Sequence, residues 1–270
     1  MRRRDFLVTS GLVTAGLASA MPAAESDASG DPKQQVFEIR AYHFASPAKR
    51  EAFEAFVADA AIPAWNRAGA QPIGVFNLLA KDNLDLKLTE DPQDLWIFLA
   101  HKSTTAAVDF ESRLAADQTF AEAGKPIITA GKSDPAFTRY DNMFLRPMTG
   151  SPRVIPPPQR GPDALYEMRT YESPSIERHL NKLEMFNAGE FGAFERAGMT
   201  GVFFGGAIVG SDLPQLTYMV AHGNAADVKK HWSDFGADAE WQKLKAEAKY
   251  KDNVSKITRR FLRGARASQI

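Results

Sequence analysis

The feature of this sequence that most constrains its fold is an internal repeat. Residues 36–42 (VFEIRAY) match residues 165–171 (LYEMRTY) at an offset of 129 residues, and residues 144–146 (FLR) match residues 261–263 (FLR) at an offset of 117. The matches keep their order along the chain and the offset changes in small steps, as loop-length differences between two copies of one fold produce. The sequence therefore predicts two copies of one structural unit.

Both copies show the same order of predicted elements. Residues 36–42 alternate apolar and polar side chains, which is typical of a half-buried strand. Ser46 followed by Pro47 is typical of a helix start, and Pro63 is expected to bend or end that helix early. The first copy is predicted to have strands at 36–42, 73–80, 95–101 and 140–146, with a second helix at 104–124. The second copy is predicted to have strands at 165–171, 201–209, 215–222 and 256–263, with helices at 174–197 and 224–249.

The order βαββαβ is that of a ferredoxin-like unit, whose helices cover only one face of its sheet. The other face needs a partner, because an exposed apolar sheet face is unfavourable in water. We therefore predict an α+β fold in which two tandem units, residues 36–148 and 165–265, pack sheet to sheet as a pseudo-dimeric α/β barrel. Residues 149–164 contain five prolines and are predicted to form an extended, semi-rigid linker.

The N-terminus has the pattern of an export signal. Three arginines precede an apolar run of about 15 residues, too short for a permanent span, and A-S-A at 18–20 has the form of a cleavage site. R-R-D-F-L at 3–7 resembles the twin-arginine motif. We predict a signal peptide at residues 1–24, a disordered spacer at residues 25–35, and a periplasmic or secreted protein without a stable membrane span.

Composition excludes several classes of function. Lys and Arg total 33, as do Asp and Glu, and this balance argues against a nucleic-acid partner. The chain has no cysteine, which excludes disulfides, thiolate metal sites and cysteine nucleophiles. No phosphate loop, Rossmann fingerprint, HExxH or G-x-S-x-G motif is present, which disfavours nucleotide-dependent enzymes and classical hydrolases.

A polar triplet on the first strand, Glu38, Arg40 and Tyr42, recurs in the second copy. It could line a barrel cavity, where the arginine would bind an anion and Tyr or Glu would carry protons, or it could form a structural ion-pair ladder. His101 and His222 lie at equivalent strand ends. Each could contact a ligand or form a structural hydrogen bond. The candidate ligand-binding residues are therefore Arg40, Tyr42, His101, Arg169, Tyr171 and His222, with Glu38 and Glu167 as carboxylate partners of the arginines. The sequence identifies no catalytic residue and no metal site.

The other three histidines are weaker candidates for a functional role. His43 has no counterpart in the second copy, and no role is assigned to it. His179 and His231 lie on predicted helices and are the candidates for an axial ligand if the protein binds haem. No cofactor is otherwise expected.

Four stretches of the second copy carry a family resemblance. LYEMRTY (165–171), ERAGMTGVFF (195–204), LPQLTYMVAH (213–222) and HWSDFGADAEW (231–241) resemble the NIPSNAP domain, and the first copy resembles it less closely. The resemblance implies a dimeric α/β-barrel fold, shared by families that include antibiotic-type monooxygenases and haem-binding chlorite dismutases. It implies no agreed catalytic motif.

Three functional hypotheses remain at this point. The first is an exported barrel protein that binds or slowly transforms a small apolar or aromatic ligand. The second is a non-catalytic interaction module that self-associates, so a homo-oligomer is left open. The third is a haem-dependent or cofactor-free oxidoreductase resembling the monooxygenases.

Overall fold

The structure is a computed structural model that describes residues 34–158 and 161–270. The predicted signal peptide and residues 25–33 of the predicted spacer lie outside the described residues. Gln35, at the end of that spacer, is buried, and its side-chain oxygen accepts a hydrogen bond from the backbone N of Val154 at 2.9 Å. The start of the first repeat is thereby joined to the linker between the repeats.

Eight strands in the described chain form one closed barrel. They are β1 (Val36–His43), β2 (Ala70–Leu78), β3 (Asp94–His101), β4 (Arg139–Pro147), β5 (Leu165–Glu172), β6 (Thr200–Val209), β7 (Gln215–His222) and β8 (Lys256–Gly264). Each observed strand overlaps a predicted one, and β7 has the predicted bounds.

The order of strands around the barrel is β1-β3-β2-β8-β5-β7-β6-β4, and every neighbouring pair is antiparallel. In each half the strands lie in the order fourth, first, third, second, which is the ferredoxin-like arrangement. The halves join through β2 with β8, where Leu78 pairs with Leu262, and through β4 with β6, where Pro147 pairs with Gly205. The predicted fold class is confirmed, and closure of the barrel pairs the edges of both sheets.

Helices cover the outer face of the barrel. In the first half they are α1 (Pro47–Phe56), α2 (Ile62–Ala68), α3 (Thr104–Val108), α4 (Phe110–Ala115), α5 (Gln118–Ala123) and α6 (Lys125–Ile128). In the second half they are α7 (Ile176–Met185), α8 (Phe191–Arg196), α9 (Ala225–Ala237) and α10 (Ala239–Lys245). No helix within the described residues is long and apolar enough to cross a membrane.

Several predicted helices differ from those observed. The single helix predicted at 104–124 is divided among α3, α4 and α5, and Asp117 caps α5 by accepting a hydrogen bond from Phe120 N at 2.9 Å. The helix predicted at 224–249 is divided between α9 and α10, where Asp238 caps α10 by accepting from Trp241 N at 2.8 Å. The helix that contains Pro63 does not end there but continues from α1 through a π-helical turn (Val57–Ala61) into α2, with Pro63 in the first turn of α2.

The inside of the barrel is filled with aromatic rings at one end. Phe98 and Phe203 stack with their centroids 4.5 Å apart, and Phe37 contacts both rings. Val154 of the Pro-rich linker belongs to the same buried cluster. Buried side chains therefore fill this end of the barrel, and space for a ligand inside the barrel lies at the other end.

Candidate functional site

The predicted polar triplets lie on the outer face of the barrel. Successive strand residues face opposite sides of a sheet, and Phe37 and Ile39 belong to the cluster inside the barrel. Glu38, Arg40 and Tyr42 consequently face the helices, as do their equivalents on β5. Of the two interpretations of these triplets, the one in which they line the barrel cavity does not agree with the structure, because their positions alternate with the inward-facing residues.

In the first repeat the triplet forms a buried polar cluster around Glu38. The Glu38 carboxylate contacts His101 Nε2 at 2.7 Å, and it accepts hydrogen bonds from Arg40 Nε at 2.6 Å and Asn142 Nδ2 at 2.9 Å. Arg40 also donates to Glu111 at 3.0 Å. Burial alone would raise the pKa of Glu38, but the His101 hydrogen bond and the Arg40 charge hold it below its usual value.

The second repeat builds the same cluster around Glu167. His222 Nε2 lies 3.0 Å from the carboxylate, and Arg169 Nε donates to it at 2.7 Å. Trp232 replaces the amide donor of the first repeat, with its Nε1 donating at 2.6 Å. The pKa of Glu167 is again lowered, because these partners outweigh the effect of burial. The guanidinium of Arg169 lies 3.6 Å from the Trp232 ring centroid.

The six predicted site residues are thus divided between two clusters, one in each repeat, and each arginine is paired with a carboxylate. Arg40 and Tyr42 line an aromatic cavity of about 390 Å³ beneath the helices of the first repeat. His222 lines a cavity of about 240 Å³ beside the linker, where its Nδ1 lies 2.9 Å from Nδ1 of His231. The contacts of these residues favour the structural interpretation, and ligand binding by them stays a prediction.

The inside of the barrel contains a larger cavity of about 420 Å³ at the end opposite the packed phenylalanines. We call it the barrel cavity. Its wall residues are Ile39, Ala41, Leu78, Trp96, Met143, Met168, Thr170, Thr217, Thr258 and Arg260. Its rim is formed by His43, Asp94, Asp141, Glu172, Asp212, Gln215 and Lys256, and the loop between β2 and β3 adds Leu86, Leu88 and Pro92.

Arg260 is the cation in the wall of the barrel cavity. Its guanidinium lies 5.1 Å from the centroid of the Trp96 ring. Within the described chain it has no ion pair with a carboxylate, although Asp94 lies close enough to act on its charge. Burial lowers the pKa of Arg260, with Asp94 acting in the opposite direction. The indole Nε1 of Trp96 is buried and has no hydrogen-bond partner among the described residues.

The rim carries carboxylates that contact neighbouring basic side chains. His43 lies between Asp94 and Asp141, with Nδ1–O and Nε2–O distances of 2.7 and 2.9 Å. Lys256 donates to Glu172 at 2.7 Å. His43, to which the sequence assigns no role, is therefore a rim residue that holds two acidic side chains.

Arg260 and Trp96 were not among the sequence candidates, although the repeat offsets contain a signal for both. The first repeat has Met143 at the position equivalent to Arg260, and the second has Thr217 at the position equivalent to Trp96. All four residues line the same cavity. Sequence differences between repeats at inward-facing positions, rather than residues common to both, mark this site.

The histidine that lines the barrel cavity is not suited to act as an axial haem ligand. His43 is the histidine that lines the cavity, and both of its ring nitrogens contact carboxylates. His179 and His231, the sequence candidates, lie on the outer helices α7 and α9. The described residues contain no group of three or more His, Cys, Asp or Glu side chains that could hold a metal ion. We therefore derive no chemistry through haem.

Comparison with solved structures supports the class of fold. A "putative monooxygenase" from Lactobacillus acidophilus NCFM is 12% identical with a TM-score of 0.56, covering 86% of this chain and 94% of that chain. A "putative monooxygenase" from Fusobacterium nucleatum is 9% identical with a TM-score of 0.53, covering 86% of this chain and 92% of that chain. The protein thus shares the α/β-barrel fold of these structures.

The family comparison concerns the second repeat. Residues 166–269 match the NIPSNAP family, and no curated protein sequence matches the chain. An uncharacterized NIPSNAP-like domain protein from Burkholderia xenovorans is 13% identical with a TM-score of 0.34, covering 38% of this chain and 85% of that chain. The resemblance inferred from the second-copy motifs is confirmed for that repeat.

Proposed function

We propose that this protein binds a small apolar or aromatic molecule in the barrel cavity. The observation that carries the proposal is the cavity itself, about 420 Å³ in volume at one end of a closed barrel. Small-molecule sites have volumes of about 300–1,000 Å³ and mostly apolar walls. Trp96, Met143 and Met168 provide aromatic and thioether surface, which packs well against flat apolar molecules.

The loop between β2 and β3 supports this function by covering part of the opening. Leu86 and Leu88 pack against the cluster inside the barrel. The loop is fixed to β8, because Asn83 exchanges two hydrogen bonds of 2.8 Å with the backbone of Phe261 and Asp82 forms an ion pair with Arg263. A bound molecule would therefore be shielded from water by apolar side chains of this loop.

Two neighbouring positions on β8 allow a matched test of binding. Thr258 lines the cavity, whereas Ile257 is exposed on the outer face. We expect wild type and Ile257→Trp to bind 2-naphthol with similar affinity in calorimetric titrations, and Thr258→Trp to lose binding because the indole fills the cavity. Equal binding by both folded variants would exclude the barrel cavity as the site, and no binding of 2-naphthol by the wild type would exclude neutral naphthols as its ligands.

A second candidate function is the slow oxidation of the bound aromatic molecule by dioxygen without a fixed cofactor. His43 favours it, because an imidazole held by two carboxylates lines the cavity and could donate or accept a proton. The names of the two barrels with the same fold are consistent with such a role. Mass spectrometry after incubation with 2-naphthol in air should then show 1,2-naphthoquinone for wild type and none for His43→Gln; one oxygen atom of dioxygen is added to the ring and the other leaves as water with the two hydrogens removed. An unchanged ligand in both samples would leave binding as the function.

We also propose that the protein is exported by the twin-arginine pathway before its signal peptide is removed. The support is the R-R-D-F-L motif at 3–7 and the A-S-A site at 18–20, which lie outside the described residues. Replacing Arg3 and Arg4 by Lys should leave the precursor in the cytoplasm, whereas the wild type should have a mature N-terminus near Met21. Export in a strain that lacks the twin-arginine translocase would contradict the proposal.

A further inference from the structure

We propose that the molecule bound in the barrel cavity is an aromatic anion, whose carboxylate or similar acceptor group is held by Arg260 beside the Trp96 ring. This inference rests on the proposed binding function and adds the chemical class of the ligand. It follows from a cation in the wall of the cavity that the described protein leaves without a paired carboxylate.

Arg260 provides the charge. A partly buried guanidinium without a paired carboxylate is costly, because it loses water without gaining an opposite charge. In the two polar clusters of the outer face, Arg40 and Arg169 are both paired with glutamates at 2.6 and 2.7 Å. Arg260 lacks such a partner within the described chain. A planar acceptor such as a carboxylate matches the five fixed N–H donors of a guanidinium.

Trp96 provides aromatic surface at the same place. Its ring lies beside the guanidinium of Arg260, so a flat apolar surface and a cation belong to one part of the wall. The indole Nε1 is itself buried away from the cavity. The hydroxyl groups of Thr170 and Thr217, farther round the wall, lie 3.0 Å apart and hydrogen bond to each other. The wall thus offers a cation for an acceptor group of the ligand and a ring surface for its aromatic part.

Strand register places Arg260 deeper in the barrel than the rim carboxylates. Glu172 pairs with Lys256 in the β5–β8 ladder, whereas Arg260 pairs with Met168, four residues farther along each strand. Both Asp94 and Asp141 contact His43, and Asp212 acts on the charge of Lys256. A bound anion would thus contact Arg260 in the interior, while the rim carboxylates interact with His43 and Lys256.

The first repeat indicates that Arg260 is not required for folding. The equivalent position on β4 is Met143, which lines the same cavity in the same kind of strand. Arg260→Met therefore copies a residue that the barrel already accommodates. Arg259 is the matched control, since it is the adjacent arginine on β8, lines a cavity on the outer face and is paired with Asp85.

The test compares 2-naphthoate with 2-naphthamide, which has nearly the same shape and no charge, by calorimetric titration of the whole protein. We expect the wild type and Arg259→Gln to bind the carboxylate about ten- to a hundredfold more tightly than the amide, as charge-assisted hydrogen bonds provide. Arg260→Met should bind both with affinities close to that of the wild type for the amide. Arg260→Gln is a second neutral variant in case Arg260→Met melts early.

The outcomes separate this inference from the proposed function. If the wild type binds the amide as tightly as the carboxylate, or if both folded Arg260 variants keep the preference for the carboxylate, the inference is overturned and the barrel cavity remains a site for neutral aromatic molecules. If the wild type binds neither compound nor 2-naphthol, the proposed function fails and the inference fails with it.

Discussion

The guanidinium of Arg260 lies 5.1 Å from the centroid of the Trp96 ring, and the two residues come from different repeats. Their repeat equivalents, Met143 and Thr217, line the same cavity. The barrel is thus close to two-fold symmetric in its strand order but asymmetric in the chemistry of its interior. We infer one ligand orientation in this cavity rather than two equivalent ones.

Replacing Trp96 by Phe should separate stability from binding. The change keeps an aromatic ring in the wall and removes a buried N–H without a partner, whose desolvation costs about 1–3 kcal/mol. We expect the ligand-free variant to melt at or above the temperature of the wild type, while its affinity for 2-naphthoate stays within about twofold, because the indole N–H is buried away from the cavity. Thermal unfolding without ligand and calorimetric titration with it measure the two effects. A roughly tenfold loss of affinity in the folded variant would show that the indole N–H contacts the ligand.

The arginines of the outer polar clusters should behave differently. Arg40→Ala and Arg169→Ala each leave a buried glutamate without its ion-pair partner, which should lower the free energy of unfolding by about 3–5 kcal/mol. Binding of 2-naphthoate should stay unchanged at temperatures where the variants are folded, because neither side chain lines the barrel cavity. Lys243→Ala, which breaks an exposed pair with Glu240, is the control and should leave the free energy of unfolding nearly unchanged. Loss of binding in a folded Arg40 or Arg169 variant would move the site to the outer face.

The same clusters predict how stability depends on acidity. The pKa values of Glu38 and Glu167 in the folded protein lie below the ordinary value of 4.5, so the unfolded chain takes up protons at a higher pH than the folded chain. The stability that these carboxylates contribute is fully present above about pH 4.5 and is lost as pH falls through their lowered pKa values. Urea unfolding of Glu38→Gln and Glu167→Gln should therefore show lower stability at pH 7 and a weaker dependence on pH below 4.5.

The exposed Glu240 gives the control for this measurement. Glu240→Gln removes a surface ion pair with Lys243 and should follow the wild-type dependence on pH. If Glu38→Gln and Glu167→Gln also lose stability in acid as steeply as the wild type, other groups determine the acid unfolding.

Separating the repeats should expose the inside of the barrel. Residues 36–148 would lose the β2–β8 and β4–β6 pairings and would uncover Phe37 and Phe98. We expect this half, and residues 165–270, to be insoluble or to self-associate, and the two halves expressed together to form a 1:1 complex. Size-exclusion chromatography with light scattering measures this. A stable, cooperatively unfolding monomer of either half would contradict a fold in which the repeats complete each other.

The fold could be predicted because its two signals, alternation of apolar and polar residues and an internal repeat, can be read directly along the sequence. Alternation along residues 36–42 and its copy at 165–171 identified the strands, and the βαββαβ order identified the barrel. The break at Asp117 was missed, because a single capping side chain competes with helical periodicity. Alternation also shows which residues share a face, but it does not show which face is inside. The sequence therefore left open whether the Glu38–Arg40–Tyr42 triplet lines the barrel cavity or forms a structural ion-pair ladder.

The site itself depended on contacts between distant parts of the chain. Arg260 is one of two adjacent arginines on β8, and only the closed barrel shows that Arg259 is paired with Asp85 on the outer face while Arg260 faces the cavity. Repeat equivalence drew attention to residues common to both copies, which the structure shows to be buried in hydrogen-bonded clusters. The residues that differ between copies lie around the cavity.

A crystal structure with 6-bromo-2-naphthoate tests the central claim most directly, because the anomalous signal of bromine locates the ligand independently of its fit to density. We expect a bromine peak inside the barrel, among the wall residues of the barrel cavity, with the carboxylate within hydrogen-bond distance of Arg260. A peak beneath the helices of the first repeat would contradict this account and would support ligand binding by Arg40 and Tyr42, two of the candidates from the sequence.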